Sequence, residues 1–209
     1  MRLAILGAGS VGTAVGRRWQ RSGHDVVYGA RDPEAERYHD LSAEARVERI
    51  SAAVQDADAV LIAIPGAGVE SLLDAEGETL GGKLVFDATN RMGGDRFHQI
   101  SLLEERLPNS RVYRAFNTLG WENFAEPVFD GERADLFYAG PEGDDRPTVE
   151  RLIADVGLRP VYVGAGPAGA DLLDGITRLW FTLALQQGHG RHLAFRTLGL
   201  AGDGSEHPR

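Results

Sequence analysis

The residues whose types and spacing could do chemistry begin almost at the start of the chain. Gly7-Ala8-Gly9-Ser10-Val11-Gly12 is a G-x-G-x-x-G run that follows the apolar Leu3-Ala4-Ile5-Leu6 and opens a stretch with helical spacing. In that setting each glycine has a physical task. Gly7 permits a tight turn, Gly9 lets an anion approach bare backbone, and Gly12 lets the helix lie close on the strand. The N–H groups left unpaired at a helix N-terminus then face the anion with partial positive charge. Gly7, Gly9, Ser10, Val11 and Gly12 are therefore candidate ligands of a pyrophosphate. A nucleophilic role for Ser10 is disfavoured, because a hydrolase elbow needs glycine two positions to either side and Ala8 stands at one of them.

A second contact point lies downstream. Asp25-Val26-Val27-Tyr28 reads as the second strand, and it runs on into Gly29-Ala30-Arg31. A site that reads a ribose 2′-hydroxyl carries an acidic side chain at the end of this strand. Here that place holds Gly or Ala, and Arg31 follows, 24 positions after Gly7. A carboxylate would repel a 2′-phosphate, whereas a guanidinium offers it paired charge-assisted hydrogen bonds. We therefore expect NADP(H) in preference to NAD(H), with Arg31 on the 2′-phosphate. Thr13 and Arg37 are weaker candidates. Asp32 reads as the cap of a helix that Pro33 begins.

Ligands of open α/β sheets lie beyond the carboxyl ends of the strands. Three such ends carry polar or stiff residues: Ile64-Pro65-Gly66, Ala88-Thr89-Asn90 and Asn117-Thr118-Leu119. Ile64, Pro65 and Asn90 join the cofactor set. Asn117 and Thr118 are the candidate catalytic residues, as hydrogen-bonding partners of an acceptor ring. For any one of these polar residues, a turn residue bonding its own backbone is an equal alternative. Trp121 and Trp180 could stack on a ring, but lone aromatics more often fill cores. His189 and His192 are three apart, but Gly188 and Gly190 disfavour a helix there and no acid is adjacent, so they read as surface histidines and no metal site is expected.

The elements that must position these residues alternate. Apolar strand runs fall at 59–64, 83–87, 111–116, 134–139 and 159–163, and helical spacing falls at 10–22, near 145–156, and at 170–187. The Gly/Pro-rich stretch 164–169 reads as a loop, and the polar tail after Leu200 as frayed. Strands alternating with helices predict an α/β Rossmann-type fold, a doubly wound and mostly parallel sheet with a small C-terminal helical portion. We divide it into an NADP-binding domain over residues 1–163 and a C-terminal loop and helix, 164–209, packing on that domain without being independent.

The chain has 209 residues, with 43% hydrophobic and 25% charged, the balance of a globular protein with a real core. Its formal net charge of −9 opposes a polyanionic partner, so nucleic acid is not expected. The absence of cysteine excludes disulfides, thiolate nucleophiles and Cys-ligated metal centres. No signal-peptide pattern opens the chain and no apolar run has membrane-spanning length, so we expect a cytoplasmic location and no membrane partner. A homodimer is expected through the C-terminal helix, whose Leu172, Leu179, Trp180 and Leu183 offer more apolar surface than a small sheet needs.

Taken together, Gly7 to Gly12, Tyr28-Gly29-Ala30-Arg31, Ile64-Pro65, Asp87-Ala88-Thr89-Asn90 and Ala115-Phe116-Asn117-Thr118-Leu119-Gly120 resemble the NADPH-dependent coenzyme F420 reductase group. That group is similar to the cytosolic oxidoreductase domain of the STEAP metalloreductases. The segment 115–120 with Trp121-Glu122-Asn123-Phe124 is the more specific part, and Leu193-Ala194-Phe195-Arg196 also looks like family endings. The resemblance implies hydride transfer between NADP(H) and a small flavin-like acceptor, coenzyme F420 or a flavin. By the same resemblance, Gly7, Gly9, Ser10, Val11 and Gly12 meet the pyrophosphate and nicotinamide side, Arg31 the 2′-phosphate, and Ile64 and Pro65 the nicotinamide-side loop. Two other classes stay open: a non-catalytic NADP(H)-binding sensor or partner-binding protein, and a reductase of small imines or carbonyls, which would want a larger helical substrate domain than the residues after Val163 provide.

Overall fold

The computed structural model describes residues 1–199. Its frame is an all-parallel sheet of β1 Arg2–Leu6, β2 Asp25–Ala30, β3 Arg46–Arg49, β4 Ala59–Ile62, β5 Leu84–Asp87 and β6 Arg111–Arg114, in the spatial order β3-β2-β1-β4-β5-β6. The winding reverses between β1 and β4, which opens a crevice at their carboxyl ends. The expected Rossmann-type doubly wound fold is what the chain adopts.

Strand periodicity explains the layers. Along β1, Leu3 and Ile5 enter one core while Ala4 and Leu6 enter the other, all four fully buried. A strand covered on both faces needs such a continuous apolar run. One face is covered by α1 Ser10–Arg21, α6 Glu122–Ala125 and α7 Arg146–Val156, around the buried Trp19. The opposite face is covered by α3 Ile50–Gln55, α4 Val69–Leu80 and α5 Ile100–Arg106.

Beyond β6, a short hairpin of β7 Val128–Phe129 and β8 Glu132–Arg133 turns at Asp130 and Gly131, both with positive φ. An Asp-Gly pair is the favoured chemistry for such a turn. A parallel pair, β9 Asp135–Tyr138 and β10 Arg159–Tyr162, joins β6 through an antiparallel bridge between Arg114 and Ala139. The last helix, α8 Gly166–Phe181, runs into a π-helical turn at Thr182–Gln186 and contributes Ala170 to one core and Trp180 to the other.

Three expectations are corrected. No α-helix starts at Pro33. Residues 31–35 form turns, then a 3-10 turn Glu36–Tyr38 leads into the short α2 His39–Glu44. The cap chemistry was present, but α2 buries no residue, so the segment has no apolar face to hold a longer helix. The stretch 164–169 is not wholly a loop, because α8 begins at Gly166 with Pro167 in its first turn, where a fixed φ and a missing N–H fit. Trp180 belongs to the core at 2% exposure, leaving Leu172 and Leu179 as the large apolar side chains that α8 exposes. Position 200 and the tail beyond it lie outside the described residues. Among the described residues no helix is long and apolar enough to cross a membrane, and no group of three or more His, Cys, Asp or Glu side chains could hold a metal ion.

Candidate dinucleotide site

The glycines after β1 behave as their spacing requires. Gly7 has φ +113°, and a Cβ there would come within 2.4 Å of the Ala63 carbonyl oxygen. A Cβ on Gly12 would come within 2.0 Å of the Gly7 carbonyl oxygen, so the first turn of α1 is seated directly on the strand exit. Gly9 differs: nothing lies within 4 Å of where its Cβ would be. The bare backbone therefore faces open space, the condition for close approach by a pyrophosphate. Gly9 caps α1 with no side-chain bond, and no acid stands in the first turn. The first helical bond is Thr13 N–H to the Gly9 carbonyl, so the amides of Ser10, Val11 and Gly12 have no helical partner and are available to an anion.

A cavity of about 580 Å³ opens at this turn. It runs from Gly7, Ala8 and Gly9 past Ala63, Ile64 and Pro65 on one side and Ala30, Arg31, Arg37 and Tyr38 on the other. Its walls are largely apolar with a few polar groups, as expected of a site that buries a flat ring. Arg31 is exposed, and the Arg37 guanidinium sits 4.8 Å from the centre of the Tyr38 ring. Register pairing sets Arg49, the last residue of β3, beside Ala30. None of these three arginines forms an ion pair among the described residues, in a chain where eleven others do. A second hollow, on the outer side of residues 33–48, is lined by Glu34, Glu36, Glu44 and Glu48, a field that repels phosphate.

Of the sequence candidates, Gly7, Gly9, Arg31, Ile64 and Pro65 line the cavity. Ser10, Val11 and Gly12 do not line it; they follow Gly9 and carry the unpaired amides of the first turn of α1. Thr13 is spent on backbone, its hydroxyl donating to the Gly9 carbonyl at 2.9 Å. Asn90 is committed at both ends: its Nδ2 donates to the Asn117 carbonyl at 3.0 Å, and its Oδ1 accepts from Arg114 at 2.9 Å. Asn117 and Thr118 are buried beside α8, where Asn117 Nδ2 meets Thr177 Oγ1 at 3.4 Å. The Asn117 Oδ1 and the Thr118 hydroxyl have no partner, so both keep unused hydrogen-bonding capacity. The preceding residue, Phe116, has φ +62°, a strained conformation for a bulky side chain. Trp121 is 40% exposed just beyond.

Under these strand ends lies an ionic clamp that the sequence reading missed. Arg114, fully buried at the end of β6, donates to Asp87 Oδ2 at 2.8 Å, to the Thr89 carbonyl at 2.8 Å and to Asp174 Oδ1 at 3.0 Å. Asp87 also accepts from the Thr89 amide and hydroxyl, and Asp174, from α8, accepts from the amides of Phe97 and His98. One guanidinium thus holds the exits of β5 and β6, the 97–98 segment and α8 in a fixed relation. Buried charges persist only when so paired. The sequence signals were a charge inside the strand run Arg111-Val112-Tyr113-Arg114 and an acid on the buried face of an apolar helix. Tyr38 was hidden differently, by the unforeseen turn at 31–38, which also brings the weaker candidate Arg37 to the cavity.

Residues 2–91 match the family described as NADP oxidoreductase coenzyme F420-dependent. The matched stretch is less than half of the chain. It contains the glycine turn, Arg31, the Ile64-Pro65 loop and Asn90. Over 95% of this chain and 100% of the other, the fold superposes with a TM-score of 0.82 and 20% identity on a structure from Arthrobacter sp. FB24, provisionally described as an F420-dependent NADP-reductase. A reductive aminase from Aspergillus terreus, solved with NADPH and ethyl levulinate, matches with a TM-score of 0.68 at 22% identity, over 90% of this chain but 62% of that one. Among curated proteins, a glycerol-3-phosphate dehydrogenase [NAD(P)+] of Pseudomonas fluorescens SBW25 is 31% identical over 199 residues, 87% of this chain and 56% of that protein. Other dehydrogenases of that name are matched over as little as 37% of their length, so the chain spans about half, or less, of the curated relatives it resembles.

Proposed function

We propose that this chain is an NADP(H)-dependent oxidoreductase that passes a hydride between NADPH and a flavin-like acceptor, with coenzyme F420 among the acceptors. The observation that carries the reading is the single cavity joining a bare glycine turn to two guanidiniums without carboxylate partners. A ligand with phosphates at both places, and a flat ring between apolar walls, satisfies every feature of it. The amides of Ser10, Val11 and Gly12 would hold the pyrophosphate, and Arg31 with Arg37 the 2′-phosphate, the adenine lying near Tyr38. Ile64 and Pro65 would set one wall of the nicotinamide subsite at the carboxyl end of β4.

The nicotinamide supplies the hydride; the chain orients the two rings and excludes water. Transfer needs the rings stacked at about 3–3.5 Å, and rigid placement provides much of the rate. The Asp87–Arg114–Asp174 clamp gives that rigidity on the acceptor side. Asn117 and Thr118 are our candidates for hydrogen-bonding the acceptor, through an Oδ1 and a hydroxyl that no protein group uses. No acid or base is required of them.

Calorimetry with NADPH and NADH, followed by NADPH oxidation with F420, FMN, FAD and quinones, tests the reading. Tight NADPH binding with turnover supports it. Tight binding without turnover across the panel would instead support a sensor. Reduction of small imines has the likeness to the reductive aminase in its favour, but this chain spans 62% of that protein. A homodimer through the exposed Leu172 and Leu179 of α8 is part of the proposal, and sizing in solution checks it.

A further inference from the structure

The wall that α4 gives to the dinucleotide cavity has no counterpart in the sequence reading. Gly68, at the N-cap of α4, lines the cavity together with Ser71, Leu72, Ala75 and Glu76. Spacings of three and four residues put all five on one face of the helix, so α4 turns a whole stripe toward the cavity. Four members of the stripe are small or apolar. Ser71 and Ala75, four residues apart, are exposed, and their short side chains leave a slot against the helix. Tyr38 belongs to the other side of the cavity, with the Arg37 guanidinium 4.8 Å from its ring centre. A slot between an aromatic ring and small side chains suits a flat base.

Glu76 breaks the pattern. It is the one carboxylate among the residues lining the cavity, whose other charged groups are Arg31 and Arg37. Among the described residues the ion pair of α4 is made by Asp74, to Arg106 at 2.6 Å, and the half-buried Glu76 makes neither an ion pair nor a side-chain hydrogen bond. An acid in the wall of a site for phosphates repels its ligand, unless a donor on that ligand reaches the acid. The position narrows the choice of donor. The Gly68 amide donates to the Pro65 carbonyl at 2.8 Å, at the nicotinamide-side loop. Glu76 comes eight residues later, about 12 Å along the helix axis. In a dinucleotide held as proposed above, the carboxamide lies at the Ile64-Pro65 end and the ribose hydroxyls stay by the glycine turn. The donor left for Glu76 is the amino group of the adenine.

We propose that Glu76 reads the base of the cofactor, its carboxylate accepting a hydrogen bond from the exocyclic amino group of adenine while the ring lies between Tyr38 and the Ser71–Ala75 stripe. This rests on the dinucleotide reading above and adds base specificity to it. A carboxylate is an acceptor alone, so a purine with a carbonyl oxygen in place of the amino group sets lone pairs against lone pairs and is rejected. The contact is independent of the 2′-phosphate, because base and phosphate are held by different residues.

The test is calorimetry on the intact chain with two pairs of nucleotides. NADPH is compared with nicotinamide hypoxanthine dinucleotide phosphate, its deaminated analogue, and NADH with deaminated NADH. Wild type should bind the adenine form about tenfold more tightly in both pairs. Glu76→Gln has an amide that donates to a carbonyl as readily as its oxygen accepts from an amino group, so it should bring each pair within about twofold. Glu76→Ala should do the same. Equal affinities in wild type, or a preference that survives Glu76→Gln, would overturn the contact. Tighter binding of the hypoxanthine form would overturn it too, by placing the carboxylate on the N1–H that only this base carries. In each of these cases tight NADPH binding would leave the dinucleotide reading standing. No binding of any of the four nucleotides would remove both.

Discussion

The chain contains the same glycine pattern twice. Gly7-Ala8-Gly9-Ser10-Val11-Gly12 follows β1, and Gly164-Ala165-Gly166-Pro167-Ala168-Gly169 follows β10. The spatial economy is shared. Gly7 and Gly164 have φ +113° and +122°, and the third glycine packs on the carbonyl of the first in both, with a Cβ reaching 2.0 Å at Gly12 and 2.6 Å at Gly169. Both middle glycines face open space. Yet the first turn opens on a cavity with free arginines, and no residue of the second lines that cavity. The difference is topological. β1 lies between β2 and β4, where the winding reverses and two strand exits diverge, whereas β10 pairs with β9 alone. The pattern specifies a tight strand-to-helix turn. The switch point turns it into a site.

That contrast can be broken by parallel substitutions. The largest effect is expected from Gly9→Val, which should weaken NADPH and NADH at least about 100-fold by blocking backbone approach, while Gly166→Val should leave NADPH affinity within about twofold despite local strain at φ +58°. Calorimetry distinguishes the two, and equal losses would make the second turn part of the site. Next, Gly12→Ala and Gly169→Ala should both destabilise the fold, by about 1–3 kcal/mol in denaturant unfolding, because each adds a methyl against backbone. The shared structural role would be lost if only one of them did so.

Smaller effects sharpen the charged half of the comparison. Arg31→Ala should weaken NADPH about tenfold, roughly 1.4 kcal/mol, and NADH by less than twofold; Arg37→Ala should act in the same sense more weakly. Equal losses for the two nucleotides would remove the NADP preference. The β9–β10 pair that leads into the second turn is fastened at its other end by Asp135 of β9. Burial pushes its carboxyl up, but the Arg159 fork at 2.6 and 2.8 Å and the Thr197 amide outweigh this and hold it below the usual carboxylate range. A depressed folded pKa gives stability that is present above the unfolded value near 4 and is lost as pH falls through the folded one. Asp135→Asn should therefore cost about 1–2 kcal/mol at neutral pH and flatten the acid limb of the stability curve.

Much of this was legible before the fold was known. Leu3-Ala4-Ile5-Leu6 and the run at 59–64 are apolar at every position, which only a strand covered on both faces tolerates, and they are β1 and β4 at the centre of the sheet. Edge elements were harder. The polar alternation Arg46-Val47-Glu48-Arg49 gives little signal, yet it is β3, because an edge strand needs an apolar partner on one side only. The second glycine turn could have been found from its spacing, which repeats the first.

What the linear order determined was whatever depends on near neighbours: the period of apolar residues, the conformational freedom of Gly7, and the guanidinium that follows β2. Packing decided the rest. Arg114 meets Asp87 and Asp174 across separations of 27 and 60 residues, and Arg37 joins Arg31 at the cavity where the chain turns through residues 31–38 instead of entering a helix at Pro33. Charges that far apart attract only after the strands and α8 have been brought together by burial, so no local spacing encodes their meeting.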